Sequence, residues 1–181
     1  MTDIVSEINP QVFDANLPDI YEIEMQPLDP SYAATNFKIG SVLTIFSALI
    51  LTFVRLQPWF DWYVELHIGL TIGASVLTAI CLLFTLYKKI ADPLKSYALR
   101  EYDLSFQSGW IFRKKVTQPI TRIQHIELKR GPIDRKIGLA TLQVFSAGGA
   151  LHTFEIPGLV LSKAQKLRQY ILQHKDTITH G

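Results

Sequence analysis

Two long, almost uncharged apolar runs constrain this chain more than any other feature. Residues 39–56 (IGSVLTIFSALILTFVRL) hold one charge in 18 positions, at the far end, and residues 66–87 (LHIGLTIGASVLTAICLLFTLY) hold no Asp, Glu, Lys or Arg in 22. As helices rising about 1.5 Å per residue, each run can cross a hydrocarbon core of about 30 Å. A buried helical hairpin of a soluble protein should present polar residues on one face, and neither run does. A signal peptide should open with a short basic segment, whereas 37 residues without Lys or Arg precede the first run. The runs therefore predict a transmembrane hairpin with spans at about 39–56 and 66–87, and the 181-residue length leaves room for one domain of about 80 to 90 residues.

The connection at 57–65, QPWFDWYVE, carries Pro58 to break the helix and aromatic side chains suited to the headgroup zone, with Trp59, Trp62 and Tyr63 as interface anchors. Arg55 can snorkel to the same interface, and His67 reads as an interface residue one turn inside it. Cys81, the single cysteine, excludes a disulfide framework or a thiolate metal cage and reads as apolar filler. Lys88, Lys89, Lys95 and Arg100 follow the second span, against one basic residue in the connection and one before the first span. The positive-inside rule then predicts that both termini are cytoplasmic.

Charge divides the chain further. Positions 1–37 contain seven acids and no Lys or Arg, while the stretch from Lys88 onward contains sixteen basic residues and seven acids. This polarity predicts an acidic arm (1–37), a hairpin (38–92) and a basic carboxyl-terminal domain (93–181). Held on one side of a membrane, the arm is expected to lie across the basic loops, helped by Val12, Phe13, Leu17, Ile20, Tyr21 and Ile23.

The last segment reads as about five antiparallel strands followed by a helix. SYALREYDLSF (96–106) and the stretch from Trp110 to Thr117 flank a turn at Gln107-Ser108-Gly109, predicting a hairpin. In the next strand Ile120, Ile126 and Leu128 share a face that Ile123 leaves, which calls for a bulge near 123–125. Gly131-Pro132 marks a turn, Gly138 opens the strand LATLQVFSA, and 147–150 link it to LHTFEI. Ser162 and Gln165 have capping-box spacing, and Ala164, Leu167 and Ile171 form one helical stripe. Leu142, Val144, Leu167 and Ile171 are expected between sheet and helix.

The stretch TRIQHIELKRGPIDRKIGLATLQVFSAGG, with the SGW hairpin before it and IPGL ahead of a short helix, resembles the bacterial pleckstrin-homology-like (PH-like) domain of membrane-flanked proteins, a family of unknown function. The resemblance covers about 97–174, and the hairpin with its MQPLDPSY lead-in is similar to small two-helix members. Departures are mild: Ile133-Asp134-Arg135 where Leu-Glu-Arg is usual, and Ser146-Ala147-Gly148 where Thr-Ala-Gly is usual. The resemblance implies an α+β membrane protein of the bacterial inner membrane and cell envelope. Its transmembrane hairpin would carry a bent antiparallel sheet closed by one carboxyl-terminal helix. The family brings no reaction with it.

Signatures of catalysis are absent. The five histidines (67, 125, 152, 174, 180) show no metal-ligand spacing, and no phosphate-binding loop, nucleophile elbow or dinucleotide fingerprint occurs. His125 and Glu127 share a strand face, as solvent-facing polar pairs do. No enzyme activity, cofactor, small-molecule substrate or nucleic-acid partner is expected. The remaining signal is cationic: Arg113, Lys114, Lys115, Arg122, Lys129, Arg130, Arg135 and Lys136 are candidate contacts for lipid or a partner. The leading expectation is a module for protein–protein assembly, with a membrane protein or a second copy as partner. An anionic-lipid or envelope-state sensor is the alternative, and an enzyme with an unrecognised site ranks last.

Overall fold

The computed structural model describes residues 24–57, 63–146 and 154–180, with side chains as far as Lys175. After a two-residue strand at Gln26–Pro27 come two long helices, α1 (Pro30–Leu56) and α2 (Val64–Ala91). Asp29 caps α1 by accepting the Ser31 N–H at 2.9 Å, and Pro30 occupies the first helical position, where its missing N–H costs nothing. Only 11% and 6% of their most apolar windows are buried, so the apolar side chains face outward, as lipid requires and a soluble core forbids. The helices meet through small residues: a Cβ on Gly40 would fall 2.6 Å from Thr85 Oγ1, and the Thr44 and Thr85 hydroxyls lie 3.2 Å apart. Ser41, Thr52, Thr71, Ser75 and Thr78 donate to carbonyls one turn back, so these hydroxyls cross the apolar region already satisfied.

The described residues hold seven strands, six of them after the helices. One sheet, A, runs in the order β1 (Gln26–Pro27), β2 (Ser96–Leu99), β3 (Asp103–Ser108), β4 (Lys114–Pro119), all neighbours antiparallel. A 3-10 turn (Ile120–Arg122) leads to sheet B, with β5 (Ile123–Lys129), β6 (Leu139–Ser146) and β7 (Phe154–Val160) in sequence order. A short helix, α3 (Pro132–Ile137), joins β5 to β6, and α4 (Leu161–His180) ends the described chain. The sheets face each other across one core, with Phe106 of A stacked on Phe154 of B at 6.2 Å between ring centroids. Ala164, Leu167 and Ile171, spaced three and four apart on α4, join that core, as do Leu142 and Val144 of β6. The expected α+β architecture, a sheet system closed by a carboxyl-terminal helix, is therefore present.

Several local expectations change. The single strand expected over 96–106 is two, because the chain reverses at Glu101-Tyr102, where the Arg100 N–H donates to the Asp103 carbonyl at 2.8 Å. A further strand, β1, comes from the segment grouped with the acidic arm, and its neighbour Leu28 belongs to the core. Trp110 lies in a loop, since β3 continues to Ser108 and β4 starts only at Lys114. Gly131-Pro132 begins α3 instead of a bare turn: Pro132 takes the first helical position and Gly138 ends the helix at φ +74°. Ser162 falls inside the first turn of α4, one residue past its start, so it is not the cap. The bulge expected near Ile123 is present as a register shift between Ile123 and His125. The arm as far as residue 23, Trp59, Trp62, His152 and the 147–150 link lie outside the described residues.

Hairpin and sheets are joined at one place. Leu28 N–H donates to the Lys95 carbonyl at 3.4 Å and Asp29 N–H to the Gly158 carbonyl at 3.1 Å, which ties the entry to α1, the exit from α2 and strand β7 together.

Candidate functional site

The joint also holds the one charged residue that is buried among the described residues. Asp92, at the end of α2, is 2% exposed. A carboxylate is disfavoured there by the negative end of the helix dipole. Two partners offset this: Asn36 Nδ2 donates to Asp92 Oδ2 at 2.8 Å, and Lys95 Nζ lies 2.8 Å from Oδ1. Lys95 also donates to Tyr32 Oη at 3.2 Å and sits over the Tyr32 ring, 5.1 Å from its centroid. Burial would lower the Lys95 pKa, but the Asp92 hydrogen bond and Tyr32 outweigh it and hold the ammonium above its ordinary value. The Asp29 carboxyl is held below its ordinary value by the Ser31 hydroxyl and then the Ser31 N–H. These groups pair with one another across the joint, so the set works as a weld between α1, the end of α2 and the residue that leads into β2.

The eight candidate cations do not form one patch. Lys114 pairs with Ser108 and Lys115 with Gln107, and Gln107 in turn faces Ser96, the first residue of β2 after the joint. Arg113, Lys114 and Lys115 are thus at the joint end of sheet A, all exposed. Lys129 pairs with Thr141, close to where Leu139 faces Val160, so Lys129, Arg130, Arg135 and Lys136 gather at the end of sheet B that meets α1. Within this group Arg130 has a structural task, donating through Nε to the Leu139 carbonyl at 3.0 Å. Arg122 is separated from them: it precedes Ile123, which pairs with Ser146 at the opposite end, about 20 Å away at the usual strand rise. Of the expected interface anchors, Tyr63 is described and is 87% exposed at the start of α2.

One feature escaped the sequence reading. Between β3 and β4 the loop carries Trp110, Ile111 and Phe112, which are 44%, 63% and 88% exposed. Gly109 makes this possible: at φ +97° it lies against the Phe112 carbonyl, where any Cβ would collide. The aromatic residues had indicated a strand; the glycine turns them outward instead.

Other groups have local roles. His67 Nε2 is 2.9 Å from the Val54 carbonyl and links the two spans. Cys81 lines a cavity of about 130 Å³ between α1 and α2, with Asn36, Gly40, Phe84, Thr85 and Lys88. His125 and Glu127 pair at 2.8 Å with both side chains more than half exposed. Among the described residues, no three His, Cys, Asp or Glu side chains are placed to hold a metal ion.

A transmembrane hairpin welded to two facing antiparallel sheets and a closing helix defines a membrane-associated PH-like protein. The chain matches the family described as Bacterial PH domain over residues 33–175, and it belongs to that family. It is also similar to the UPF0699 transmembrane protein YdbS of Bacillus subtilis (strain 168), with 27% identity over 123 residues, 68% of this chain and 74% of the relative. No solved structure matches it.

Proposed function

We propose that this protein is a non-enzymatic, membrane-anchored module that mediates protein–protein assembly at the cytoplasmic face of the bacterial inner membrane. The observation that carries this reading is the weld of Asn36, Asp92, Lys95 and Tyr32. A module that only tethers a domain could use a flexible linker; fixing the sheets on the hairpin is useful where a partner must meet them in one orientation. Strand β4 ends sheet A with only β3 beside it, which leaves one side of β4 for a partner strand. A photocrosslinking residue at Thr117 on β4, in the full-length protein in its native membrane, tests this. Attachment to a membrane protein or a second copy supports assembly, and attachment to lipid alone refutes it.

Orientation is tested separately. In a Cys81→Ser background, a cysteine at Trp62 should react with an impermeant thiol reagent in spheroplasts and one at Gly181 should not. Reversed labelling would move the domain to the outer side.

A second reading, contact of the basic loops with anionic lipid, is favoured by the gathering of seven of the eight candidate cations at the joint ends of the two sheets. Near a negative leaflet, each well-placed Lys or Arg contributes about 1 kcal/mol. Contact between the domain and the bilayer, measured for the full-length protein in nanodiscs with and without phosphatidylglycerol, tests this reading. Contact independent of lipid charge would exclude this second reading.

A further inference from the structure

We infer that the β3–β4 loop is a third membrane anchor: Trp110, Ile111 and Phe112 insert into the headgroup–acyl boundary of the bilayer that the hairpin spans, and Arg113, Lys114 and Lys115 engage its lipid phosphates. The inference does not require the assembly reading. It requires only that the loop sits on the side of the domain where the helices enter, and the strand register places it there.

Gln107 faces Ser96, and Ser96 follows directly on Lys95 at the joint. Strand β3 therefore returns to the end of α2, and the loop extends beyond it by three to five residues, a reach of about 10 Å at the usual strand rise. Tyr87, the last residue before Lys88 and Lys89, is only about 6 Å up the helix from Ala91. The loop tip is long enough to regain the level at which the apolar part of α2 ends.

The chemistry of the tip selects the occupant. Three consecutive large apolar side chains are exposed, one of them a tryptophan, whose ring suits the interface because it is apolar with one polar edge. Three cations follow at once, also exposed, which fits a surface that is apolar in depth and negative at its rim. A second, independent pattern agrees. Leu94 in the turn after α2, Ile133 at the start of α3 and Val160 at the end of β7 are also large apolar residues left exposed near the joint, while Tyr102 and Tyr170, whose rings carry a hydroxyl, are exposed away from it. The exposed aliphatic residues of the domain thus lie on the side where a bilayer would cover them. At Gly109 the backbone passes so close to the Phe112 carbonyl that a side chain does not fit, which closes the base of the loop tightly.

Trp110 is its own probe. In the full-length protein with Trp59→Phe and Trp62→Phe, it is the single tryptophan left. Reconstituted at one protein per nanodisc, it should lose most of its emission when phosphatidylcholine and phosphatidylglycerol carry bromine at shallow acyl positions. With a Trp110→Phe exchange added, a Tyr102→Trp reporter at the opposite turn should keep its emission. Replacing Arg113, Lys114 and Lys115 together by Gln should reduce the Trp110 quenching. Quenching at 110 no greater than at 102 would overturn the inference. Quenching unaffected by the Gln triple variant would overturn the part assigned to the cations. Because each nanodisc holds one protein and no partner, a loop built to meet another chain would give no quenching, and that outcome overturns the inference whatever becomes of the assembly reading.

Discussion

Gly158 of β7 lies directly beneath Tyr32 of α1: its φ is +65°, and a Cβ built on it would fall 2.5 Å from the Tyr32 ring carbon Cγ. Its carbonyl accepts the Asp29 N–H, so one residue of the sheet both bonds the start of the hairpin and leaves room for its aromatic ring. Gly158→Ala combines left-handed backbone strain with that collision and should lower stability by about 1 to 3 kcal/mol. Thermal unfolding of the detergent-solubilised protein checks the loss. Tyr32→Ala in the same chain should recover the steric part and not the backbone part, so a double variant no better than the single one would show that Tyr32 is not the obstacle.

Asp92→Ala removes the acceptor shared by Asn36 and Lys95. Breaking a buried ion pair from one side leaves the other charge without compensation, a cost of about 3 to 5 kcal/mol for full burial. The Lys95 side chain keeps 18% of its exposure, so about 2 kcal/mol is expected here. The loss should appear first at the joint, as faster hydrogen exchange at Leu28 and Asp29, whose N–H groups bond across it. Uniform acceleration over the whole sheet would mean that joint and domain unfold as one unit.

Leu167 is 8% exposed on α4 and shares the core with Leu142 and Val144. Leu167→Ala should cost about 2 to 5 kcal/mol through lost transfer energy and the cavity left behind. Unchanged thermal stability would mean that α4 contributes little to holding the sheets closed.

What the sequence revealed and what it hid differ in physical origin. The spans were legible because length without charge is a demand of the bilayer itself, independent of any neighbour. The stripe of Ala164, Leu167 and Ile171 and the bulge after Ile123 were legible because each follows from the period of a single element. The reversal at Glu101-Tyr102 was hidden, since it uses neither Gly nor Pro and depends on the Arg100–Asp103 pairing. Trp110 to Phe112 read as strand because aromatic residues favour strands, and only the φ of Gly109 sends them outward. Among the candidate cations, sequence could name the residues but not divide them, because the distance of Arg122 from the rest arises from strand pairing. The partnership of Gly158 with Tyr32 spans most of the chain, and Pro157-Gly158 alone signals just a turn.

The ion pair at the joint also sets a pH dependence. Lys95 is half-buried, which by itself lowers its pKa, yet the Asp92 hydrogen bond and Tyr32 bring the net value above the ordinary 10.5. A folded-state pKa above the unfolded one means that the folded protein holds this proton more tightly. The resulting stabilisation is complete below the unfolded value and disappears as pH rises through the folded value, so the window is alkaline, above about 10.5. Lys95→Met should lower the melting temperature at neutral pH by leaving Asp92 with Asn36 as its remaining side-chain partner among these groups. The gap between the two proteins should then narrow above about pH 10.5, as the native lysine loses its charge. Lys95→Arg retains its charge in that range, so if it can reach Asp92 it should keep its advantage over Lys95→Met where the lysine loses it. Melting temperatures of the three proteins from neutral to strongly alkaline pH decide the matter. A gap between the native protein and Lys95→Met that stays constant across the range would show that Lys95 stabilises the joint by packing on Tyr32, with its charge contributing nothing.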